Sequence, residues 1–250
     1  MLGATRINPN NGEILWGLKG RASDPAVISQ DKVILWNYNP GGGELGHFIY
    51  CVDSSSGTTL WSYDVSSLMY QPIIYGEQVL FGAFDGNFYA LHLSSGDLAW
   101  KTLVTNQNNQ TKIVGNEGRD LAPIVSSIPI ETKNGIGVWS FVFIQNGWGG
   151  VIEYVGTVSG IDVANGRLLW TKPIENNASI SSSNLLLPTS LGLALLNDYA
   201  FLTMGSDFYI INIQTGSIFE EKNFDHHLLE PTATEDRVFI AEELHLTVYR

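Results

Sequence analysis

Five segments of this chain repeat one pattern around a glycine, and that pattern constrains the fold more than any other feature. They read RINPNNGEILW, CVDSSSGTTLW, ALHLSSGDLAW, GIDVANGRLLW and IINIQTGSIFE. Aligned on Gly12, Gly57, Gly96, Gly166 and Gly216, the position four residues later is Trp16, Trp61, Trp100, Trp170 and, in the last copy, Glu220. The position four residues earlier is Asn8, Asp53, His92, Asp162 or Asn212. A rare residue recurring four times in one register marks a repeat, and repeats have to be settled before any other reading of a fold.

The chemistry of each copy is that of a β-hairpin. A run such as Asn87-Phe88-Tyr89-Ala90-Leu91-His92-Leu93 has strand composition and alternation. The polar cluster that follows ends in glycine, which supplies the positive φ of a tight turn. The Asp or Asn at its start can hydrogen-bond the turn backbone, so its placement needs no catalytic explanation. A second landmark stands upstream of each apolar strand: Pro25, Pro72, Pro123, Pro188 and Pro231. Proline is tolerated at a strand's first residue, where no ladder donor is needed. The unit is a proline-led strand, turn, strand, loop, strand, glycine turn and a strand carrying Trp. Four antiparallel strands repeated every 40–50 residues or so predict an all-β fold, a β-propeller of four-stranded blades.

Composition limits what such a fold can do. The chain has 250 residues, 13 basic and 25 acidic, for a formal charge of −12. An acidic chain without a basic patch is a poor binder of nucleic acid, whose recognition starts from phosphate neutralisation. A single cysteine, Cys51, excludes an internal disulfide framework and a cysteine-rich metal site. At the small-residue position of a strand, Cys51 reads as a buried, inert thiol. The N-terminal residues lack the basic start and apolar core of a signal peptide, and the longest apolar stretch, Leu185–Leu196, is broken by Pro188. No membrane span is therefore expected. The sequons at Asn109 and Asn177, with abundant Ser, Thr and Gly, lean towards an extracytoplasmic location, periplasmic or cell-surface.

The pattern resembles the PQQ-type, or quinoprotein-like, β-propeller repeat, roughly A-x-D-x-x-x-G-x-x-x-W. The matches are Cys51/Asp53/Gly57/Trp61, Ala90/His92/Gly96/Trp100 and Gly160/Asp162/Gly166/Trp170. The resemblance implies that Gly12, Trp16, Gly57, Trp61, Gly96, Trp100, Gly166, Trp170 and Gly216 dock neighbouring blades. In the fifth copy either a bulge brings Phe219 into the docking gap in place of Glu220, or that junction is weaker.

Glycine-to-glycine spacings of 45, 39, 70 and 50 residues give about five blades in a single domain. The expected partition is a partial blade at 1–16, blades at 17–61, 62–100, 101–170 and 171–220, and a partial blade at 221–250. Val248-Tyr249-Arg250 and Arg6-Ile7-Asn8 hold the same strand of the repeat. A closed ring would thus carry one strand in excess, and an incomplete part of a larger ring would explain both partial blades.

Propeller loops that lead into the inner strands, and those joining the middle strands, share one face, the default ligand site. Asp24, Gln71 and Glu230 stand before three of the prolines, Arg119 and Asp120 lie in the long third loop, and Tyr38 and Trp148 lie in glycine-rich loops. Asp24, Asp120 and Glu230 could converge for acid–base chemistry as in a hydrolase, or be solvated loop carboxylates. His226-His227 with Glu230 could offer metal ligands, or be a surface pair.

The resemblance also raises a quinone-dependent dehydrogenase. Those enzymes hold the cofactor against an adjacent-cysteine disulfide and a calcium ion, in a larger ring. This chain has one cysteine and no motif for the metal ligands, so no cofactor and no resident metal are expected. The reading preferred from the sequence is a noncatalytic platform binding a protein or a glycan through aromatic anchors amid polar loops, similar to the lipoprotein scaffold branch of the family. A propeller enzyme, hydrolase or dehydrogenase fragment, is the alternative.

Overall fold

The computed structural model describes residues 2–20, 26–38, 46–67, 69–83, 85–104, 126–127, 131–146, 152–176, 191–226, 228–242 and 245–249. Among them every regular element is a strand, and no helix is long and apolar enough to cross a membrane. The strands form antiparallel sheets of repeat type, and the fold is a β-propeller. They fall into two compact units, Met1–Thr102 and Leu103–Arg250.

The first unit opens with a two-stranded sheet, β1 (Leu2–Ile7) and β2 (Ile14–Lys19). Next comes a complete blade, β3 (Val27–Ser29), β4 (Lys32–Tyr38), β5 (Phe48–Asp53) and β6 (Thr59–Asp64), paired in sequence order. A second blade has the same order, β7 (Ile73–Tyr75), β8 (Gln78–Gly82), β9 (Asn87–His92) and β10 (Leu98–Leu103). The two blades meet through Ile34, Trp36, Ile49 and Cys51 on one side and Val79, Phe81, Tyr89 and Leu91 on the other, all buried. Burying each large side chain contributes roughly 1.5–3 kcal/mol, which holds the blades face to face.

The second unit starts with β11 (Ser126–Ser127) and β12 (Glu131–Lys133), both pairing with β13 (Ile136–Asn146). β13 pairs with β14 (Ile152–Asp162), and β14 with β15 (Leu168–Asn176). The β13–β14 ladder runs from Ile136↔Asp162 to Asn146↔Ile152. This hairpin, longer than those of the other blades, absorbs part of the long 70-residue spacing. A complete blade follows, β16 (Leu191–Leu196), β17 (Tyr199–Met204), β18 (Asp207–Asn212) and β19 (Ile218–Asn223). A three-stranded sheet, β20 (Thr232–Ala233), β21 (Val238–Glu242) and β22 (His245–Tyr249), closes the unit. Ile136, Val138 and Val158 pack on Ala200, Leu202 and Ile211, and Leu196, Phe201 and Phe208 pack on Val238 and Ile240.

The five glycine turns share one geometry. Each glycine sits at φ between +68° and +76° and donates its N–H to the carbonyl of the residue four earlier, 2.8 Å away in every copy. Asn8, Asp53, Asp162 and Asn212 accept backbone N–H groups of their own turns through Oδ1. At Asp53 the Ser55 hydroxyl, with further bonds from Ser56, holds the carboxyl down to about 2. These residues are turn staples, as the sequence indicated.

Each docking Trp is set by the strand that follows. In β2, β6 and β15 one residue is skipped in the register: Leu15, Leu60 and Leu169. The bulge carries Trp16, Trp61 and Trp170 opposite Arg6, Cys51 and Gly160. From there each indole covers the glycine turn of the next blade and donates its Nε1–H to a carbonyl three residues before that glycine. The pairs are Trp16 to Ser54 at 2.8 Å, Trp61 to Leu93 at 2.9 Å and Trp170 to Ile213 at 2.7 Å. Trp100 stacks on Phe88 of its own sheet, ring centroids 5.7 Å apart.

Phe219 corrects the expectation placed on it. β19 carries the same bulge, and Phe219 is the skipped residue, while Glu220 takes the Trp position opposite Ile210. The bulge therefore turns Phe219 outward: it is 71% exposed and rests at an angle against Tyr199, centroids 5.5 Å apart. Glu220 pairs with Lys222 instead.

Candidate functional site

Two loops that lead into inner strands are described, one in each unit, and they are built alike. In the first unit the chain leaves β6, and Val65 donates its N–H to the His47 carbonyl at 3.0 Å. Met69 then plugs the blade from above, almost wholly buried, and Tyr70 donates to Gly82 at 2.9 Å. In the second unit Phe224 donates to Ser206 at 2.9 Å, Leu228 is the buried plug, and Leu229 donates to Ala241 at 2.9 Å. After the plug each loop presents one exposed polar residue before its proline, Gln71 before Pro72 and Glu230 before Pro231.

Buried side chains lock these plugs. Asn37, only 4% exposed and at φ +47°, donates from Nδ2 to the Met69 carbonyl at 2.8 Å and accepts the Met69 N–H at 2.9 Å. A left-handed conformation is one that Asn tolerates better than most residues, and the double bond to a buried backbone stabilises it. In the second unit the Thr203 hydroxyl donates to the Leu229 carbonyl at 3.3 Å.

The turns joining the middle strands add carboxylates to each loop face. Asp85, before β9, accepts the Tyr89 hydroxyl at 2.6 Å and the Asn87 N–H at 3.0 Å, with Lys101 at 3.4 Å. Burial alone would raise the Asp85 carboxyl, but the bonds from Tyr89 and Asn87 and the Lys101 charge outweigh it and leave the group below its ordinary value. Burial, then the bond to Asp85, pushes the Tyr89 phenol up, so it stays a donor. Lys101 also sits 4.7 Å over the Tyr89 ring, a cation–π contact. Asp207, the first residue of β18, is different: burial raises its carboxyl, and the bond from Asn223 offsets that only in part.

Of the residues singled out from the sequence, Gln71 and His226 are exposed in their respective loops, and Glu230 shares the loop of His226. Tyr38 takes the last position of β4, paired with Phe48. Asp24, Arg119, Asp120, Trp148 and His227 lie outside the described residues. No group of three or more His, Cys, Asp or Glu side chains gathers into a metal-holding cluster among the described residues. Cys51 is fully buried, and burial pushes its thiol up to about 11, which suits the inert reading.

The sequence reading missed the Asn37 clamp and the Asp85–Tyr89–Lys101 group. Asp85 had a visible signal, the Asp-Gly turn at Asp85-Gly86, but its partners lie on strands four and sixteen residues away. What the described parts of each face can do is offer fixed acceptors and donors on rigid plugs. Asp85 is already saturated by its neighbours, and an acid so committed is suited to shaping a surface more than to transferring a proton.

The family described as outer membrane protein assembly factor BamB matches residues 3–127. Among curated proteins, a tetrathionate hydrolase of Acidithiobacillus ferrooxidans is 20% identical over 283 aligned residues, covering 98% of this chain and 53% of that protein. The chain thus spans about half the length of the curated relative it matches. Among solved structures, a quinohemoprotein alcohol dehydrogenase from Pseudomonas putida HK5 aligns with TM-score 0.56 and 12% identity, over 89% of this chain and 39% of that one. BamB from Moraxella catarrhalis aligns with TM-score 0.46 and 19% identity, over 97% of this chain and 74% of that one. The dehydrogenase likeness speaks for the fold alone.

Proposed function

The chain belongs to the PQQ-type β-propeller repeat family, the one described as outer membrane protein assembly factor BamB, and from that premise we propose that it is a noncatalytic, extracytoplasmic scaffold that binds other proteins. The observation that carries this reading is the paired loop construction. Buried plugs at Met69 and Leu228 hold Gln71 and Glu230 in fixed, exposed positions. Loops held this way lose little backbone entropy on binding, which is what favours a recognition surface. With 25 acidic residues against 13 basic, the partner surface that fits is polar to basic, since complementary charge speeds encounter and excludes wrong partners. Nothing in the comparisons speaks for a glycan, so protein is the partner class we favour.

The test uses the chain as a bait in an envelope extract, with bound proteins identified by mass spectrometry. Wild type should retain a defined partner, and Gln71→Arg with Glu230→Arg should weaken its binding about tenfold or more at unchanged melting temperature. An identified partner held equally by both proteins would move the interface elsewhere and defeat the proposal for these loops.

A second reading, an enzyme, draws on the tetrathionate hydrolase relative, whose alignment takes in nearly the whole of this chain. Turnover of tetrathionate by the purified chain, or dye reduction with added quinone and calcium, would replace the scaffold reading.

A further inference from the structure

Two complete blades, one in each unit, carry a tyrosine on the third strand at the same repeat position, and the fourth strand sets opposite charges beside it. Counted from the turn glycines Gly96 and Gly216, Tyr89 and Tyr209 stand seven residues before, and Lys101 and Glu221 five residues after. Both tyrosines are buried, 2% and 4% exposed, each in the core its blade shares with the preceding one. In the first unit the arrangement is complete. Lys101 Nζ lies 4.7 Å from the Tyr89 ring centroid and 3.4 Å from Asp85 Oδ2, the oxygen that accepts the Tyr89 hydroxyl. An ammonium, a carboxylate and a phenol thus close on one another.

In the second unit the ammonium is missing. Glu221 stands directly opposite Tyr209 in the β18–β19 ladder, and Asp207, two residues before Tyr209, shares that face and accepts a bond from Asn223. Burial, then the Asp207 and Glu221 carboxylates, push the Tyr209 phenol up. Its hydroxyl makes no hydrogen bond among the described residues. No basic side chain among them bears on Asp207 or Tyr209, Lys172 of the preceding blade included. Lys222 lies on the opposite face of β19, where it meets Glu220 and Tyr249. Residues 173–190, which lead into this blade, contain no Lys or Arg.

We propose that this site takes a lysine side chain of a partner protein, its ammonium seated between the Asp207 and Glu221 carboxylates against the Tyr209 hydroxyl. The partner restores from outside the charge that Lys101 supplies within its own blade. Asp207 and Glu221 are diagonal neighbours across the ladder, roughly 7–8 Å apart at the backbone, a spacing that one ammonium bridges. Its three donors match two carboxylates and a phenol oxygen. Calcium would need about six to eight oxygen ligands, and one Asp207 oxygen is already committed to Asn223. That the ammonium belongs to a protein rests on the scaffold reading; the demand for an ammonium rests on the site alone.

A titration of the full chain with n-butylammonium chloride tests this, read by NMR of ring-labelled tyrosine against sodium chloride at equal ionic strength. The Tyr209 signal should shift saturably, and the Tyr89 signal should not, because Lys101 already holds that place. Two substitutions should exchange the behaviour. Glu221→Lys should weaken the Tyr209 response about tenfold or more, and Lys101→Glu should create a response at Tyr89. Glu221→Lys should also melt at or above the wild-type temperature, since it rebuilds the Lys101 arrangement, which keeps the comparison free of misfolding. A silent Tyr209, a response that Glu221→Lys leaves unchanged, or a response to calcium chloride in place of butylammonium would overturn the proposal. The titration needs no partner, so its failure is distinct from failure of the scaffold reading. A captured partner held equally by wild type and Glu221→Lys would remove the lysine assignment and leave that reading intact.

Discussion

Trp61 lies so close over Gly96 that a β-carbon built on the glycine would stand 2.6 Å from the indole Cδ2. The glycine is also at φ +76°, so two demands coincide at one residue: a left-handed backbone and a bare face for the ring.

Gly96→Ala should therefore cost the left-handed penalty of about 1–2 kcal/mol and an overpacking penalty of about 1–3 kcal/mol together. Gly12 separates the two contributions. Its φ is +75°, but none of the described residues lies within 4 Å of a β-carbon there, so Gly12→Ala should show only the conformational cost. Denaturant titration of both variants checks this, and equal losses would contradict the docking role of the indole.

Trp170 and Phe219 stand at adjacent repeat positions in different blades but in opposite environments. Trp170 is buried between Gly160 and Gly216 and hydrogen-bonded to Ile213, so Trp170→Ala should destabilise by about 3–5 kcal/mol. Phe219 points to solvent, so Phe219→Ala should stay within about 0.5 kcal/mol of wild type. Thermal melts of the two variants measure the difference.

Asp85 and Asp207 should respond to pH with opposite signs. The folded-state value of Asp85 is depressed, so its contribution is present above the ordinary carboxylate range and is lost as pH falls through the folded value. Asp85→Asn should lower stability at neutral pH by about 1 kcal/mol, allowing for solvent screening at this half-buried site, and the gap to wild type should close in acid. The folded-state value of Asp207 is raised, so its contribution is present below the ordinary range and is lost as pH rises through the folded value. Asp207→Asn should therefore match or exceed wild type at neutral pH and lose that advantage in acid. Melting temperatures of the three proteins from acid to neutral pH decide it.

Cys51 should resist a thiol reagent in the native chain at neutral pH and react fully once denaturant unfolds it, since its thiol is buried and titrates near 11. Rapid labelling of the native protein would place Cys51 outside the core between β4–β5 and the next blade.

The landmarks legible in the sequence were those whose chemistry is local. A glycine at positive φ, an Asx residue bonding its own turn and a proline opening a strand each act within a few residues, so spacing alone exposes them. The site was less legible because its parts meet across sequence distance. Asn37 and Met69 are 32 residues apart, and no pattern along the chain links a buried Asn to the loop it holds.

The sequence by itself determined the repeat, the antiparallel blade and the identity of the turn residues, because backbone conformation is a nearest-neighbour matter of sterics and turn hydrogen bonds. Only the tertiary structure decided which side of a bulge faces the core. One skipped residue turns Phe219 outward and leaves Glu220 in the Trp register, since a side chain's face changes with every single-residue step along a strand.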